Sequence, residues 1–482
     1  MSLSTALNIA QNSLLNSQRQ TNVVTRNISN AYNADYSRRT AVVTSMAPGS
    51  RAVEIRRATD DALFKQNLSS LSGYIAQSKI MSGLDHLSTS VNGVDNVNSA
   101  AAMIGKLQEA IQLYSSTPSN RTLADNAVEA ARQVVGSLNE GTKAIQAFRT
   151  DMDSQIATGV AELNALLADF KTINDEVKGG TAAGRDVNDA LDKRDTLLKR
   201  ISELVPISTI SRSNNDLMIV TTDGNTLFET VPRHVAFEPT AAYGAGTTGG
   251  RIFVDGVPIV KASGANTSAG GSLAAMVQMR DTYATGMQQQ LDEIARGLIS
   301  AFSETNPAPP GNTVAGLCTW SGAPAIPADG TVVTGLAGQI SLHAGIDPLQ
   351  GGNAEALRDG VAFDFNPANN ASFSDRLIGF TTAMDRSASF VTVAGTTVSL
   401  SLTDYSTAAV SWFEDARKTA ADAAETKGAM MIRTAEALSN VTGVNRDEEL
   451  ALMLELEHSY AASAKMMQII DEMLKTLLNI VR

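Results

Sequence analysis

Residues 3–28 repeat apolar and small side chains every seven residues, and this repeat constrains the fold more than any other feature of the sequence. The spacings alternate between four and three, as at the a and d positions of a coiled-coil seam. The predicted seam consists of Leu3, Leu7, Ala10, Leu14, Ser17, Thr21, Val24 and Ile28. Because the other positions are mostly Asn, Gln, Ser and Thr, few i to i+4 charge pairs support the helix alone. The pattern therefore predicts a long helix that needs a partner.

A second heptad repeat closes the sequence. Asn445 is a suitable N-cap residue, and Glu448 follows three positions later, as in a capping box. The predicted seam consists of Met453, Leu456, Tyr460, Ser463, Met467, Ile470, Leu474, Leu477 and Val481. A second apolar stripe lies beside this seam, and a face of that width is unfavourable in water. The C-terminal segment is therefore also predicted to be a helix that packs on a partner.

Between the two ends the spacing of apolar residues changes several times. Residues 60–200 have helical spacing, which is typical of a bundle of long helices. From Pro206 the apolar residues alternate, and helical spacing returns at 273–302 and from about 405 onwards. Hairpins are predicted at the turns Asp223-Gly224, Asp255-Gly256 and Ala394-Gly395.

These patterns define the expected fold class, which is mainly α with β insertions. We expect a discontinuous multi-domain rod with terminal coiled-coil helices, a stem built as a bundle of long helices, and outward β domains. The terminal coiled-coil core is expected to comprise residues 1–40 and 447–482. The helical stem domain is expected to comprise 41–205, 263–311 and 403–446, and the β-rich outer insertions 206–262 and 312–402.

Composition and motifs argue against several classes of function. The formal charge is −12 and the basic residues are scattered, so nucleic acid is not an expected partner. The sequence has no run of about 18 apolar residues, so membrane insertion is not expected. With Cys318 as the one cysteine, disulfides within the chain and Cys-rich metal sites are excluded. We found no nucleophile, metal or phosphate-loop motif, and predict no enzymatic activity, no cofactor and no metal.

Three groups of polar or sulfur-containing residues were weighed as sites and interpreted as structural. The carboxylates Asp186, Asp189, Asp192 and Asp195 are interleaved with basic residues, which favours the solvated face of a helix. Methionines in the C-terminal helix indicate either ordinary packing or a binding groove, and the two interpretations merge if the packing partner is another subunit. Cys318 has no basic neighbour that would activate its thiol.

A resemblance to a known group of proteins rests on the two ends. Residues 25–39 read TRNISNAYNADYSRR and resemble the signature that closes the N-terminal helix of flagellar rod, hook and hook-associated proteins. The chain has Ala34-Asp35 where Pro-Gly is usual in that signature. Residues 443–449, 460–462 and 471–479 are similar to the terminal helix of the same group.

Three further stretches resemble the hook-associated protein 1 family within this group. They are the Tyr-Ser-Arg ending at 36–38, the segment RRATDDAL at 56–63, and the segment DALDKRDTLL at 189–198 with GGSL at 270–273. The resemblance covers the two ends and the helical stem, whereas the β insertions carry little that matches.

The resemblance implies a structural axial protein of the bacterial flagellum that polymerises to form the junction between hook and filament. The alternative is a hook protein or a flagellin-like filament component. The expected location is extracellular, after export without a cleaved signal peptide. The expected partners are other copies of the chain in a helical or ring polymer, the hook protein, the next hook-associated junction protein, and an export chaperone on the C-terminal helix.

The expected assembly interface combines both seams with the N-terminal signature. Its residues are Leu3, Leu7, Leu14, Val24, Asn27, Ile28, Asn30, Tyr36, Arg38, Met453, Leu456, Tyr460, Met467, Ile470, Leu474, Leu477 and Val481.

Overall fold

The computed structural model describes residues 3–46, 50–259, 269–309 and 311–480. Val481, which belongs to the predicted C-terminal seam, lies outside the described residues. The described chain is mainly helical with several small sheets, which confirms the predicted fold class. It divides into two compact units. Unit 1 comprises Met1–Tyr74, Glu162–Val235 and Thr426–Arg482, and unit 2 comprises Ile75–Ala161 and Ala236–Glu425.

The helices lie where the sequence has helical spacing, so the predictions for 60–200, 273–302 and the region after 405 are confirmed. The long helices form because their apolar residues recur every three to four positions and few Gly or Pro residues interrupt them. In chain order the helices are α1 (Leu3–Ser29), α2 (Asp61–Leu87), α3 (Ala100–Ser116), α4 (Arg121–Ala182), α5 (Asn188–Leu204), α6 (Gly271–Gln278), α7 (Ala284–Ala301), α8 (Ala356–Asp359), α9 (Asp375–Asp385), α10 (Leu402–Thr442) and α11 (Arg446–Ile480).

The strands are short and the sheets have two or three strands each. The two-stranded sheets pair β1 (Arg39–Met46) with β2 (Ser50–Arg57), β9 (Glu304–Thr305) with β10 (Thr313–Val314), β11 (Cys318–Thr319) with β12 (Ser341–Leu342), and β13 (Ala388–Val391) with β14 (Thr397–Leu400). The three-stranded sheets are β3 (Ile207–Ser211), β4 (Leu217–Thr221) and β5 (Thr226–Phe228), and β6 (Val235–Phe237), β7 (Ile252–Val254) and β8 (Val257–Pro258).

The three predicted hairpins are confirmed as β4–β5, β7–β8 and β13–β14. Two expectations about the sheets need correction. The β1–β2 hairpin falls in a region that we assigned to the helical stem. Residues 312–402 are less β-rich than predicted, because their frequent Gly, Pro and Asn residues end each strand after two to four positions and α8 and α9 lie among them.

In unit 1 the apolar face of α5 and the inner face of β3–β5 form a continuous core. Leu198, Ile201 and Ile219 are at most 1% exposed. Phe170 of α4 meets Phe228 of β5 edge to face, with ring centroids 5.0 Å apart. Burying each side chain of this size contributes about 1.5–3 kcal/mol to the free energy of unfolding. The core holds α5 in place as a support for the N-terminal signature.

Unit 2 contains a buried charge network. Arg280 is fully buried, and its guanidinium donates to Asp153 at 2.5 Å, to Asp281 at 2.7 Å and to the Gly250 carbonyl at 2.7 Å. The Asp153 carboxylate also accepts from the Tyr243 hydroxyl. Burial acts to lower the pKa of Arg280, but the hydrogen bonds to its carboxylates outweigh burial and leave this pKa raised. The network holds the segment between α6 and α7 against α4.

Candidate assembly interface

The two terminal helices pack against each other along their length, and both lie in unit 1. The Oγ atoms of Ser13 and Ser463 are 3.0 Å apart. Toward the other end of the pair, Asn27 Nδ2 donates to Glu449 Oε2 at 3.0 Å. Because the lower-numbered residue of α1 meets the higher-numbered residue of α11, the pair is antiparallel. Each seam predicted from the sequence therefore has a helical partner within the same chain.

One stripe of α11 is buried by this packing. Glu449, Leu456, Ser463 and Ile470 are 1%, 7%, 3% and 9% exposed. These four residues are spaced seven apart, and within the described side chains of α11 no other residue is classed as buried. The spacing is that of one heptad position. The chain therefore uses one line of the helix for its own pairing.

Asn27 lies at the centre of a group of polar contacts that we name the Asn27 cluster, formed by Asn27, Tyr36, Arg38, Arg39 and Glu449. Its amide nitrogen donates to the Arg39 carbonyl at 2.8 Å and to Glu449. Its amide oxygen accepts from the Tyr36 hydroxyl at 2.8 Å and from the Arg39 backbone N–H at 3.1 Å. Asn27 is 1% exposed and thus satisfies both donors and both acceptors while buried.

The Asn27 cluster also fixes the start of α11. Arg38 Nε donates to Glu449 Oε1 at 2.7 Å, and the Arg38 backbone N–H donates to the Thr442 carbonyl at 2.7 Å. Asn445 Oδ1 accepts from the backbone N–H groups of Asp447 and Glu448, which confirms the predicted N-cap. The charge of Glu449 is balanced by Arg38 and by its position in the first turn of the helix.

The β1–β2 hairpin attaches the Asn27 cluster to α5. Arg39 and Arg57 are opposite each other across the hairpin, so their side chains leave it on the same face. Arg39 Nη2 contacts Asp189 at 2.6 Å and Asp192 at 2.9 Å, and Arg57 Nη1 contacts Asp192 at 2.9 Å and Asp195 at 2.8 Å. We name Asp189, Asp192 and Asp195 the carboxylate row of α5. The buried Arg39 and the half-buried Arg57 are thereby paired with three carboxylates.

The carboxylate row corrects the interpretation of these residues as a solvated face. Asp189 is exposed, but Asp192 and the neighbouring Arg194 are buried. The spacing of three residues directs successive carboxylates along one side of the helix, and the unforeseen hairpin covers that side. Asp186, at the start of the group, is exposed as predicted.

The pKa values of the carboxylate row depend on burial and on hydrogen bonds from neighbouring arginines. Burial raises the pKa of Asp195 and lowers the pKa of Arg194 to about 10. Burial also opposes ionisation of Asp189, but hydrogen bonds from Arg39 and Arg26 outweigh it, and the pKa of Asp189 is lowered. Tyr36 has a raised pKa because it is partly buried. At neutral pH the contacts of Asp189 with Arg39 and Arg26 are therefore between charged groups.

The predicted interface residues fall into three classes of exposure. The buried ones are Val24, Asn27, Leu456 and Ile470. The half-buried ones are Leu3, Leu7, Leu14, Ile28, Asn30, Tyr36, Arg38, Met453, Met467 and Leu474. Tyr460 and Leu477 are about half exposed, at 51% and 50%. The structure brings Asn27, Tyr36 and Arg38 into one cluster and places both seams on paired helices.

Four residues of this region were not foreseen as a site. Glu449 belonged to the stretch 443–449 that carries the C-terminal resemblance but had no assigned role, and Arg39, Arg57 and Asp192 had no assigned partner. Their sequence signal was weak because each partner lies more than a hundred residues away in the chain. The position of Glu449, seven residues before Leu456, was the one available indication that its side chain enters the seam.

A broad apolar face of α11 remains uncovered. Within the described residues, large side chains that are between 37% and 69% exposed occur from one end of the helix to the other. They are Leu450, Leu452, Leu454, Tyr460, Met466, Ile469, Met473, Leu477 and Leu478. Exposed apolar surface of this extent marks interaction sites in soluble proteins.

The described residues give little support for a metal site, a reactive cysteine or a membrane-spanning helix. In the described part of the chain, no group of three or more His, Cys, Asp or Glu side chains has an arrangement that fits a metal ion. Burial raises the pKa of the Cys318 thiol to about 12, so this thiol is protonated and unreactive at neutral pH. Among the described helices, none is long and apolar enough to span a bilayer.

Comparisons with known proteins agree with the C-terminal resemblance and with the resemblance to the hook-associated protein 1 family. Residues 85–308 match the family model of the flagellar hook-associated protein FlgK helical domain, and residues 437–480 match that of the flagellar basal body rod FlgEFG protein C-terminal region. Flagellar hook-associated protein 1 of Salmonella typhimurium is 27% identical over 270 residues, which cover 51% of this chain and 46% of that protein. The Escherichia coli protein of the same name is 24% identical over 335 residues, covering 64% and 58%.

A solved structure shows the same fold. The flagellar hook junction protein FlgK from Burkholderia pseudomallei superposes with a TM-score of 0.55 at 12% identity, covering 77% of this chain and 99% of that chain. The chain spans about half the length of the curated relatives that it matches. The sequence matches are to flagellar rod and hook-associated proteins. The chain is thus similar to the FlgK hook-associated proteins in its helical domain and in its fold.

Proposed function

We propose that this chain is a structural subunit of the bacterial flagellum that polymerises to form the junction between hook and filament. The observation that carries the proposal is the terminal helix pair, which buries one line of α11 and leaves a wide apolar face of the same helix uncovered. A subunit with such a face is suited to association with copies of itself and with related axial proteins. The similarity to the FlgK helical domain and to hook-associated protein 1 supports this assignment.

The partners that we propose follow from the same face. Other copies of the chain cover it in the polymer, the hook protein contacts the assembly on one side, and the next hook-associated junction protein contacts it on the other. Before assembly, an export chaperone shields the exposed leucines and methionines of α11, which accommodate different partners because methionine is flexible. The proposal includes export through the flagellar secretion apparatus to an extracellular location, without a cleaved signal.

A null mutant tests the junction role. In cells that lack the gene, we expect electron micrographs to show hooks without filaments, and flagellin to be lost to the medium. The physical reason is that filament subunits have no surface on which to polymerise. Flagellin in the medium and in the sheared filament fraction would be quantified by immunoblot.

The control is the same strain with the wild-type gene restored, which should recover filaments. Loss of the hooks as well would favour the alternative of a hook or rod component. Filaments of normal length and number in the mutant would contradict the proposal.

A further inference from the structure

The buried line of α11 alternates between polar and apolar residues. Read from the start of the helix it is Glu449, Leu456, Ser463 and Ile470. A line of leucines would bury more apolar area, and a polar residue in a coiled-coil seam reduces stability. The alternation therefore calls for an explanation other than the strength of the pairing.

Both polar residues of this line have a hydrogen-bonding partner on α1, and the two partners have the same spacing along α1 as the polar residues have along α11. Glu449 meets Asn27, and Ser463 meets Ser13. The two partners on α1, at 13 and 27, are as far apart as their counterparts on α11, at 449 and 463, and in both helices this interval is two heptads. We name these contacts the two polar layers. By the same count, the layers of Leu456 and Ile470 face Gln20 and Ala6.

We propose that the two polar layers fix the register in which α1 pairs with α11. A shift of either helix by one heptad moves Ser13 from Ser463 to Leu456 in one direction, or to Ile470 in the other. The same shift separates Asn27 from Glu449, whose carboxylate is 1% exposed. Each slipped register thus places buried polar groups opposite apolar side chains, which is costly, whereas Leu456 and Ile470 need no hydrogen-bonding partner in any register.

Chain connectivity alone leaves room for such a shift. A slip of one heptad displaces a helix by about 10 Å, at 1.5 Å per residue. Residues 30–38 join α1 to β1, and a segment of that length spans up to about 30 Å when extended. The loop can follow the displacement, so the register depends on contacts between the helices. This inference concerns the folded chain by itself and holds whether or not the chain polymerises.

Engineered cysteine pairs measure the register directly. Ala6→Cys with Ile470→Cys reports the observed register, since these positions repeat the Ser13–Ser463 geometry one heptad further along. Ala6→Cys with Leu477→Cys reports a slip of one heptad. Cys318 does not compete, because it is fully buried and unreactive. For each pair, the effective concentration of the two thiols is determined in the full chain by equilibration in a glutathione redox buffer.

The test compares the ratio of the two effective concentrations before and after the Ser layer is made apolar. With Ser13→Leu and Ser463→Leu, we expect the ratio of native to slipped disulfide to fall roughly tenfold or more, since the slipped register then buries no unpaired hydroxyl. With Ser13→Asn and Ser463→Asn, which retain a hydrogen-bonded layer, the ratio should stay within about twofold of its original value.

A matched control places leucine at exposed polar residues of the same helices, Gln11→Leu with Ser459→Leu, and should leave the ratio unchanged. Circular dichroism verifies that each variant keeps its helical content. An unchanged ratio in the leucine variant would overturn the proposal and assign the register to the connecting loop. An equal fall in the asparagine variant would also overturn it, because shape rather than hydrogen bonding would then set the register.

Discussion

Replacing Asn27 by leucine is expected to destabilise the pairing of the terminal helices by about 3 kcal/mol or more. The substitution keeps the branching at Cγ but removes two donors and two acceptors from a buried site. The Tyr36 hydroxyl, the Arg39 backbone N–H and the Glu449 carboxylate each lose a partner. Hydrogen exchange of peptides covering residues 23–41 and 446–453 should show protection reduced roughly a hundredfold.

Asn22→Leu provides the control for Asn27→Leu. Asn22 lies on the same helix but is exposed, so the same change in side chain removes no buried hydrogen bond. We expect protection of both peptides to stay within about twofold of wild type in this variant. Equal protection in Asn27→Leu and Asn22→Leu would show that the Asn27 cluster does not hold the two ends together.

Replacing Arg280 by methionine is expected to reduce the free energy of unfolding of unit 2 by about 3–5 kcal/mol. The change leaves the Asp153 carboxylate, which is 2% exposed, without its cation. Trp320 and Trp412 both lie in unit 2, so urea unfolding followed by tryptophan fluorescence reports on this unit. The double variant Arg280→Met with Asp153→Leu should regain part of the loss, because it removes the unpaired charge.

A surface ion pair in the same unit is the reference for Arg280. Arg417 contacts Asp85 at 2.7 Å, but their side chains are 39% and 43% exposed. Arg417→Met should therefore cost less than about 1 kcal/mol in the free energy of unfolding. If Arg280→Met were as mild as Arg417→Met, the buried network would not be the stabilising element described above.

Long repeats made much of the fold predictable. The heptads of α1 and α11 and the helical spacing of α2–α5 extend over many turns. They therefore predict helices even where single residues depart from the pattern. The hairpins at 223–224, 255–256 and 394–395 were recognisable because a glycine at each turn adopts a positive φ of 79–86°. In these elements the conformation is determined by residues that are close together in the sequence, so it can be predicted from a short stretch of sequence.

Contacts between distant segments were not predictable in the same way. The β1–β2 hairpin was missed because the sequence between the two strands has no Asn-Gly or Asp-Gly signal and the strands contain several arginines. Without that hairpin, the carboxylate row of α5 had no visible partner and looked solvated. Asn27 was recognised by resemblance to a signature, but its partner Glu449 lies 422 residues further along the chain. Contacts between residues this far apart in the chain depend on tertiary packing, and a local sequence pattern does not predict them.

Immunogold electron microscopy of intact flagella tests the central claim most directly. An antibody would be raised against residues 312–402, which carry little resemblance to other members of the group. We expect gold at a single position in each flagellum, where the hook meets the filament. Labelling along the whole hook or the whole filament would rule out the junction role, and would instead identify the chain as a hook protein or a filament component.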